Sequence, residues 1–145
     1  MNVVESDFKA TVEQLKQLAK YAPQVEMRTE HFLCDGMYGR QIKIPEGTAF
    51  VGRQHKKFHY FMCLKGGAWV TDGSGPPVNI HEGMMFLCRP GNQRVGVTYA
   101  DTIFVTVHRT DETVLKNIED DCVEFDSTNQ YGVGNLPLQR LPEDL

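Results

Sequence analysis

The sequence predicts a mostly β protein, a single-domain antiparallel sandwich or barrel with a helix before it and a short helix after it. Three observations carry this. Short runs rich in β-branched and aromatic residues follow one another from residue 27 to residue 108. Gly, Pro, Asp and Asn separate them at short intervals. A helical period occurs only near the two ends. At 145 residues the chain can bury one sizeable core.

Residues 6–20 read as an amphipathic helix. Ser6 or Asp7 can cap it, Phe8, Val12, Leu15 and Leu18 or Ala19 share one face, and Pro23 stops it. The predicted strands are Met27–Cys34, Met37–Ile44, Thr48–Val51, Phe58–Leu64, Ala68–Thr71, Pro77–Ile80, Met84–Cys88, Arg94–Tyr99 and Thr102–His108. Turn signals such as Asp35-Gly36, Gly66-Gly67, Glu82-Gly83 and Pro90-Gly91-Asn92 lie between them. Thr110-Asp111 reads as a second helix cap, with Val114, Leu115 and Ile118 on one side. After Asp126 the glycines and prolines break any period, and Leu136, Leu138 and Leu141 read as an arm that docks elsewhere or as a free end. The expected division is residues 1–26 for the N-terminal helix, 27–109 for the barrel, and 110–145 for the C-terminal helix and acidic arm.

Apolar residues make up 41% of the chain and charged residues 23%, as in ordinary globular proteins. A net charge of −4 gives no reason to expect nucleic acid or a bilayer as partner. The charge is uneven. Arg40, Lys43, Arg53, Lys56, Lys57 and Lys65 face a single acid, Glu46, over residues 40–65, whereas from Asp111 to the end nine acids stand against Lys116 and Arg140. That pattern fits an acidic tail lying over a basic surface or, more commonly, a solvated tail. The opening Met1-Asn-Val-Val-Glu-Ser-Asp is polar too early for a signal peptide, and no apolar run approaches a membrane span. Cys34, Cys63, Cys88 and Cys122 are widely spaced, with no Cys-x-x-Cys. Reduced thiols in a cytoplasmic protein are the expectation.

The chemistry concentrates in Gly47–Gly66, which holds Arg53, His55 and His59 ahead of an apolar run. In a straight strand His55 and His59 share a face but lie roughly 13 Å apart. They converge only where the chain bends between them. Beyond the bend His59, Phe61, Cys63 and Lys65 share one face.

The spacing of this stretch resembles the first motif of the cupins, the small RmlC-like jelly-roll barrels. It runs Gly47, five residues, Arg53-x-His55, three residues, His59, six residues, Gly66. The second cupin motif is matched by Gly83, five residues, Arg89-x-Gly91, two residues, Arg94, three residues, Thr98. The resemblance covers roughly residues 27–109 and implies a double-stranded β-helix, often dimeric. In metal-binding cupins the ligands are two histidines and a glutamate from the first motif and a histidine from the second. Carried over, these positions are Arg53, His55, His59 and Arg94. Guanidinium offers no lone pair, and two such charges oppose a divalent ion.

Three functions follow. In the first, the pocket has no cofactor and binds a small anionic molecule such as a phosphosugar or nucleotide. Arg53, Arg94, Phe61, Arg40 and Cys63 then line it, and His55 or His59 serves as base if a reaction is catalysed. In the second, a divalent Fe, Mn, Ni or Zn ion sits on His55, His59 and His108, the last placed inward by its alternation with Phe104 and Thr106, and the protein is a dioxygenase or isomerase. In the third, the barrel is a non-catalytic scaffold in a homodimer or higher homo-oligomer.

Overall fold

The computed structural model describes residues 13, 14, 16, 17, 24–125 and 131–137. Nine strands follow in order: β1 (Arg28–Cys34), β2 (Met37–Ile44), β3 (Ala49–Val51), β4 (His59–Lys65), β5 (Gly67–Thr71), β6 (Val78–His81), β7 (Met85–Cys88), β8 (Val95–Thr98) and β9 (Thr102–Arg109). Each lies within two residues of its predicted position. They form a five-stranded sheet in the order β1-β2-β9-β4-β7 and a four-stranded sheet in the order β3-β8-β5-β6. All pairs are antiparallel. The fold is therefore the mostly β, antiparallel two-sheet arrangement that the turn spacing implied, in the jelly-roll form that the cupin resemblance implied.

Two turns show why the chain folds back where it does. Asp35 and Gly36 both take positive φ, 47° and 76°, which matches the twist of the β1–β2 hairpin that they close. Between β4 and β5 the backbone passes so close to β9 that a Cβ on Gly66 would stand 2.3 Å from the Asp101 carbonyl oxygen. With φ at 69°, only glycine fits there.

The register sorts the inner face of the large sheet into layers. Ile44 pairs with Thr102, and Ile42 with Phe104, which also faces Cys63. Next comes Arg40 opposite Thr106, with Phe61 and Phe86 continuing the row. The last layer holds Tyr38 opposite His108, and His59 opposite Cys88. The lower layers join Ala68, Val70 and Ile80 of the small sheet in the apolar core. Phe61 and Phe104, 4.8 Å apart between ring centroids, close this core beneath the histidine layer. The register shifts between Cys63 and Lys65, so Leu64 is a bulge residue and Lys65 stands opposite Ile103 on the outer face. Lys65 thus leaves the face it was expected to share with His59, Phe61 and Cys63.

The open end of the barrel is covered by the segment after β9. Helix α1 (Leu115–Cys122) buries Ile118 and Cys122 against Tyr38. A 3-10 turn, η1 (Val133–Asn135), follows. The Thr110 hydroxyl does not cap this helix. It is buried and donates to Asp121 Oδ2 at 2.7 Å, while α1 begins after Val114 with no side-chain cap. An eight-residue helix without caps is marginal alone; its hold on the barrel supplies its stability. Asp121 pairs with Lys57, Lys56 Nζ donates to the Asp120 carbonyl at 2.7 Å, and Arg53 donates to the Glu124 carbonyl at 2.9 Å. Residues 120–124 of the acidic segment lie over the basic one, where a solvated tail was the commoner expectation.

Of the expected N-terminal helix, residues 13, 14, 16 and 17 are helical; the rest lies outside the described residues, as do 126–130 and 138–145. No helix among the described residues is long and apolar enough to cross a membrane.

Candidate functional site

Three histidines meet at the covered end of the barrel. His55 reaches it from the bend before β4, where it forms an isolated bridge with Val123 of the covering segment. His59 opens β4, and His108 nearly ends β9. The ring centroids of His55 and His59 are 4.0 Å apart, those of His59 and His108 4.4 Å, and those of His55 and His108 5.0 Å. The bend at Lys56-Lys57 thus removes the separation that a straight strand would impose. One ligand nitrogen from each ring falls within 4.8 Å of the others. His55 Nδ1 and His108 Nε2 share a hydrogen bond of 2.9 Å.

These imidazoles are held neutral. His55 is pushed down to about 2 by burial first, then by His59, His108, Arg40 and Arg94. His108 is pushed down to about 3 by burial, His59, Arg40 and Lys57. Burial also lowers His59, against its bond to the Lys57 carbonyl at 3.2 Å. Neutral rings keep a lone pair each.

Cations flank the trio. Arg40 projects from β2 beside Thr106, and burial weakens its hold on its proton. Arg94 lies over Phe61, its guanidinium carbon 5.2 Å from the ring centroid. A cavity of about 30 Å³ opens next to His55 and His108, lined also by Arg40, Arg53, Tyr38 and Thr106, and roofed by Glu119, Cys122 and Asn135. Glu119 is the one acid of that lining, and its carboxylate accepts the Gly134 N–H at 2.9 Å. The Tyr38 hydroxyl and His31 Nδ1 share a hydrogen bond of 2.5 Å, and burial raises the phenol to about 12.

The structure brings His55, His59, His108, Arg40 and Arg53 to one place, with Arg94 adjacent. Phe61 is the floor beneath them. Cys63 is not part of this group: it is 1% exposed in the apolar core, and its thiol donates to the Lys65 carbonyl. Sequence reasoning missed Tyr38, Glu119 and Cys122. Tyr38 was readable from parity, since it alternates with Arg40 and Ile42 on β2. Glu119 and Cys122 carried only the signal of a helical face shared with Leu115 and Ile118.

Whether this donor set suits a metal can be tested on its own atoms. Among the described residues, the buried polar side-chain atoms without a hydrogen-bond partner are Arg53 Nε, His59 Nε2, Thr106 Oγ1 and His108 Nδ1. All four belong to this site. Buried polar atoms rarely go unpaired, and an ion or water beside an imidazole nitrogen is one way such an atom is satisfied. Coordination at about 2.0–2.1 Å sets nitrogens on a common ion about 3.0–3.4 Å apart; the His55 Nδ1–His108 Nε2 pair, at 2.9 Å, is close to that, and the unpaired His108 Nδ1 is the other nitrogen of its ring. The residues put three imidazole donors within reach of one ion, with the guanidinium groups and the near-parallel stacking of the rings, 11–27° between planes, as the opposing features.

No family model and no curated protein sequence matches the chain. Solved structures do. The DMSP lyase DddQ of Ruegeria pomeroyi DSS-3 is similar at 20% identity and a TM-score of 0.51, over 61% of this chain and 49% of that one. A cupin 2 conserved barrel domain protein of Salinispora arenicola CNS-205 is similar at 13% identity and a TM-score of 0.51, over 63% and 84%. An RmlC-like cupin with a double-stranded β-helix from Methanocaldococcus jannaschii is similar at 15% identity and a TM-score of 0.50, over 58% and 80%. The chain spans about half the length of the lyase. At these identities the likeness shows the fold, and the fold is that of the cupins.

Proposed function

We propose that this chain is a metal-binding cupin that holds a small anionic molecule, with His55, His59 and His108 as the ion's ligands and Arg40 and Arg53 as the anion's. The observation that carries the reading is that one nitrogen from each of three neutral histidines, His59 and His108 buried and His55 half-buried, falls within 4.8 Å of the others, with His59 Nε2 unpartnered in the protein. A divalent Fe, Mn, Ni or Zn ion bound there supplies Lewis acidity toward an oxygen of the anion.

Charge explains why arginines belong in such a site. Three neutral imidazoles give the ion no compensating charge, and Arg40 and Arg94 add more of the same sign. Glu119 alone does not balance them. An anionic ligand does, so ion and anion stabilise each other's binding. Arg40 and Arg53 present planar forks suited to a carboxylate or phosphate. Their work is to hold the anion beside the histidines, while α1 and η1 exclude bulk water. The cavity of about 30 Å³ takes little more than water-sized occupants. A larger anion therefore enters with displacement of the covering segment.

A second reading, a metal-free anion pocket, is favoured by the arginines at two family ligand positions. Thermal shift on chelator-treated protein separates the two. Under the metal reading, Co²⁺ and an anion such as oxalate together raise the melting temperature more than the sum of their separate effects. The Arg40→Met variant loses that excess but keeps the Co²⁺ shift. An anion shift of equal size with and without Co²⁺ contradicts the coupled site and supports the metal-free pocket.

A further inference from the structure

A row of cations crosses the outer face of the five-stranded sheet at the end away from the histidines. The register sets Arg28 on β1 opposite Lys43 on β2, Lys43 opposite Ile103 on β9, and Ile103 opposite Lys65 on β4. Residues paired in this way share a face, and like charges directly opposite destabilise a sheet. Arg28 meets Glu30 at 3.6 Å, an exposed contact worth little. Among the described residues no carboxylate pairs with Lys43 or Lys65.

Lys65 stands in this row only because of the bulge at Leu64. Without it, Lys65 would follow the parity of Cys63 and face the core. β4 lies inside the sheet, between β9 and β7, where an extra residue disrupts the ladder and re-aims a side chain. Here the side chain re-aimed is a third cation. The row borders a cavity of about 450 Å³ whose lining includes Arg28, Lys43, Lys65, Ile103, Glu26 and Asp101. That volume lies within the roughly 300–1,000 Å³ of small-molecule sites.

We propose that this groove binds a small phosphorylated metabolite, with its phosphate over Ile103 between Lys43 and Lys65 and with hydrogen-bond donors at its other end. Three features select that chemistry. Lys43 and Lys65 stand two strands apart, about 10 Å, and their flexible stems let both ammonium groups close on one tetrahedral anion. Arg28, beside Lys43, adds a planar fork for two of its oxygens. A phosphate spreads about −1.5 to −2 charge over three acceptor oxygens, a match for three cations that one carboxylate does not give. Glu26 and Asp101 repel an anion, so they serve the other end of the ligand. Asp101 Oδ1 already accepts the Glu46 N–H at 2.9 Å. Its Oδ2 and the Glu26 carboxylate are left to accept from hydroxyl or ammonium groups.

Calorimetric titration of the full chain tests this, in about 0.1 M salt, which screens exposed charges beyond about 10 Å. The probes are ribose 5-phosphate, phosphoethanolamine and methyl phosphate. One or both of the first two are expected to bind one to one, at least about 10-fold tighter than methyl phosphate, which lacks the donors. Binding of ribose 5-phosphate identifies hydroxyls as the donors, and binding of phosphoethanolamine an ammonium. Lys43→Met and Lys65→Met are each expected to weaken binding at least about 10-fold. Lys116→Met removes the same charge from α1, and Arg40→Met removes a cation from the histidine site; both are expected to bind as the wild type does. Failure of both probes to bind, or equal affinity for methyl phosphate, overturns the proposal. So does an equal loss in Lys116→Met, the mark of a general field, or a loss confined to Arg40→Met, which places the ligand among the histidines. Should one lysine variant of the groove not fold, the other carries the same expectation.

Discussion

His55 Nδ1 and His108 Nε2 lie 2.9 Å apart, although 53 residues separate them in the chain. One comes from an irregular bend and the other from the last strand of the barrel. Only one of these two nitrogens carries a proton, so the contact fixes a tautomer for each ring. His108 Nδ1 is then left without a partner inside the protein. The site's cost to stability and its capacity to bind have the same origin, and this sets the direction of the first prediction.

His59→Leu replaces a buried ring that has an unpaired nitrogen by an apolar side chain. Its bond to the Lys57 carbonyl is lost, but that bond is long at 3.2 Å. Urea unfolding of metal-free protein is expected to show the variant unchanged or more stable by about 1 kcal/mol, since an unsatisfied buried group costs about 1–3 kcal/mol. Metal uptake is expected to vanish. A loss of more than about 2 kcal/mol would mean that the ring serves packing rather than binding.

The depressed histidines make metal-free protein sensitive to acid. His55 and His108 titrate near 6.5 when unfolded and at about 2 and about 3 when folded. Below pH 6.5 the unfolded chain therefore binds more protons, and stability falls as pH falls. Each histidine contributes a slope of about 1.4 kcal/mol per pH unit between its two values. Urea midpoints of metal-free protein are expected to drop steeply from pH 6.5 to pH 4. His108→Gln is expected to flatten the drop, and an unchanged slope in that variant would contradict the assignment.

Asp121 fastens the covering segment to the barrel through Lys57 and the buried Thr110 hydroxyl. These partners hold its carboxyl below the usual range, so the latch is present above the unfolded pKa and is lost as acid protonates it. Asp121→Asn is expected to cost about 1 kcal/mol. It is also expected to speed hydrogen exchange over residues 115–123 and to accelerate metal release several-fold. Unchanged exchange there would remove this contact from any gating role.

The nine strands were legible because their turns are written in residues with few alternatives, as at Asp35-Gly36 and Gly66. The histidine cluster was legible in part. Motif spacing pointed to His55 and His59, and inward alternation pointed to His108. Three things were not. The bulge at Leu64 inverts the facing of Lys65, and no local residue announces it. Phe61 and Phe104 fill the barrel, so Cys63 lies below the site and the cavity is confined to one end. The placing of Glu119 and Asn135 over the site depends on contacts between distant segments, such as Asn135 to Thr29 at 2.9 Å, which local periodicity does not encode.

The most direct measurement is a calorimetric titration of Co²⁺ into chelator-treated wild type and single histidine variants. One equivalent is expected to bind the wild type, His31→Ala and His81→Ala. His55→Ala, His59→Ala and His108→Ala are each expected to lose at least 100-fold in affinity, about 2.7 kcal/mol. Uptake below a tenth of an equivalent in the wild type, or an equal loss at His31 or His81, contradicts a metal site built from His55, His59 and His108.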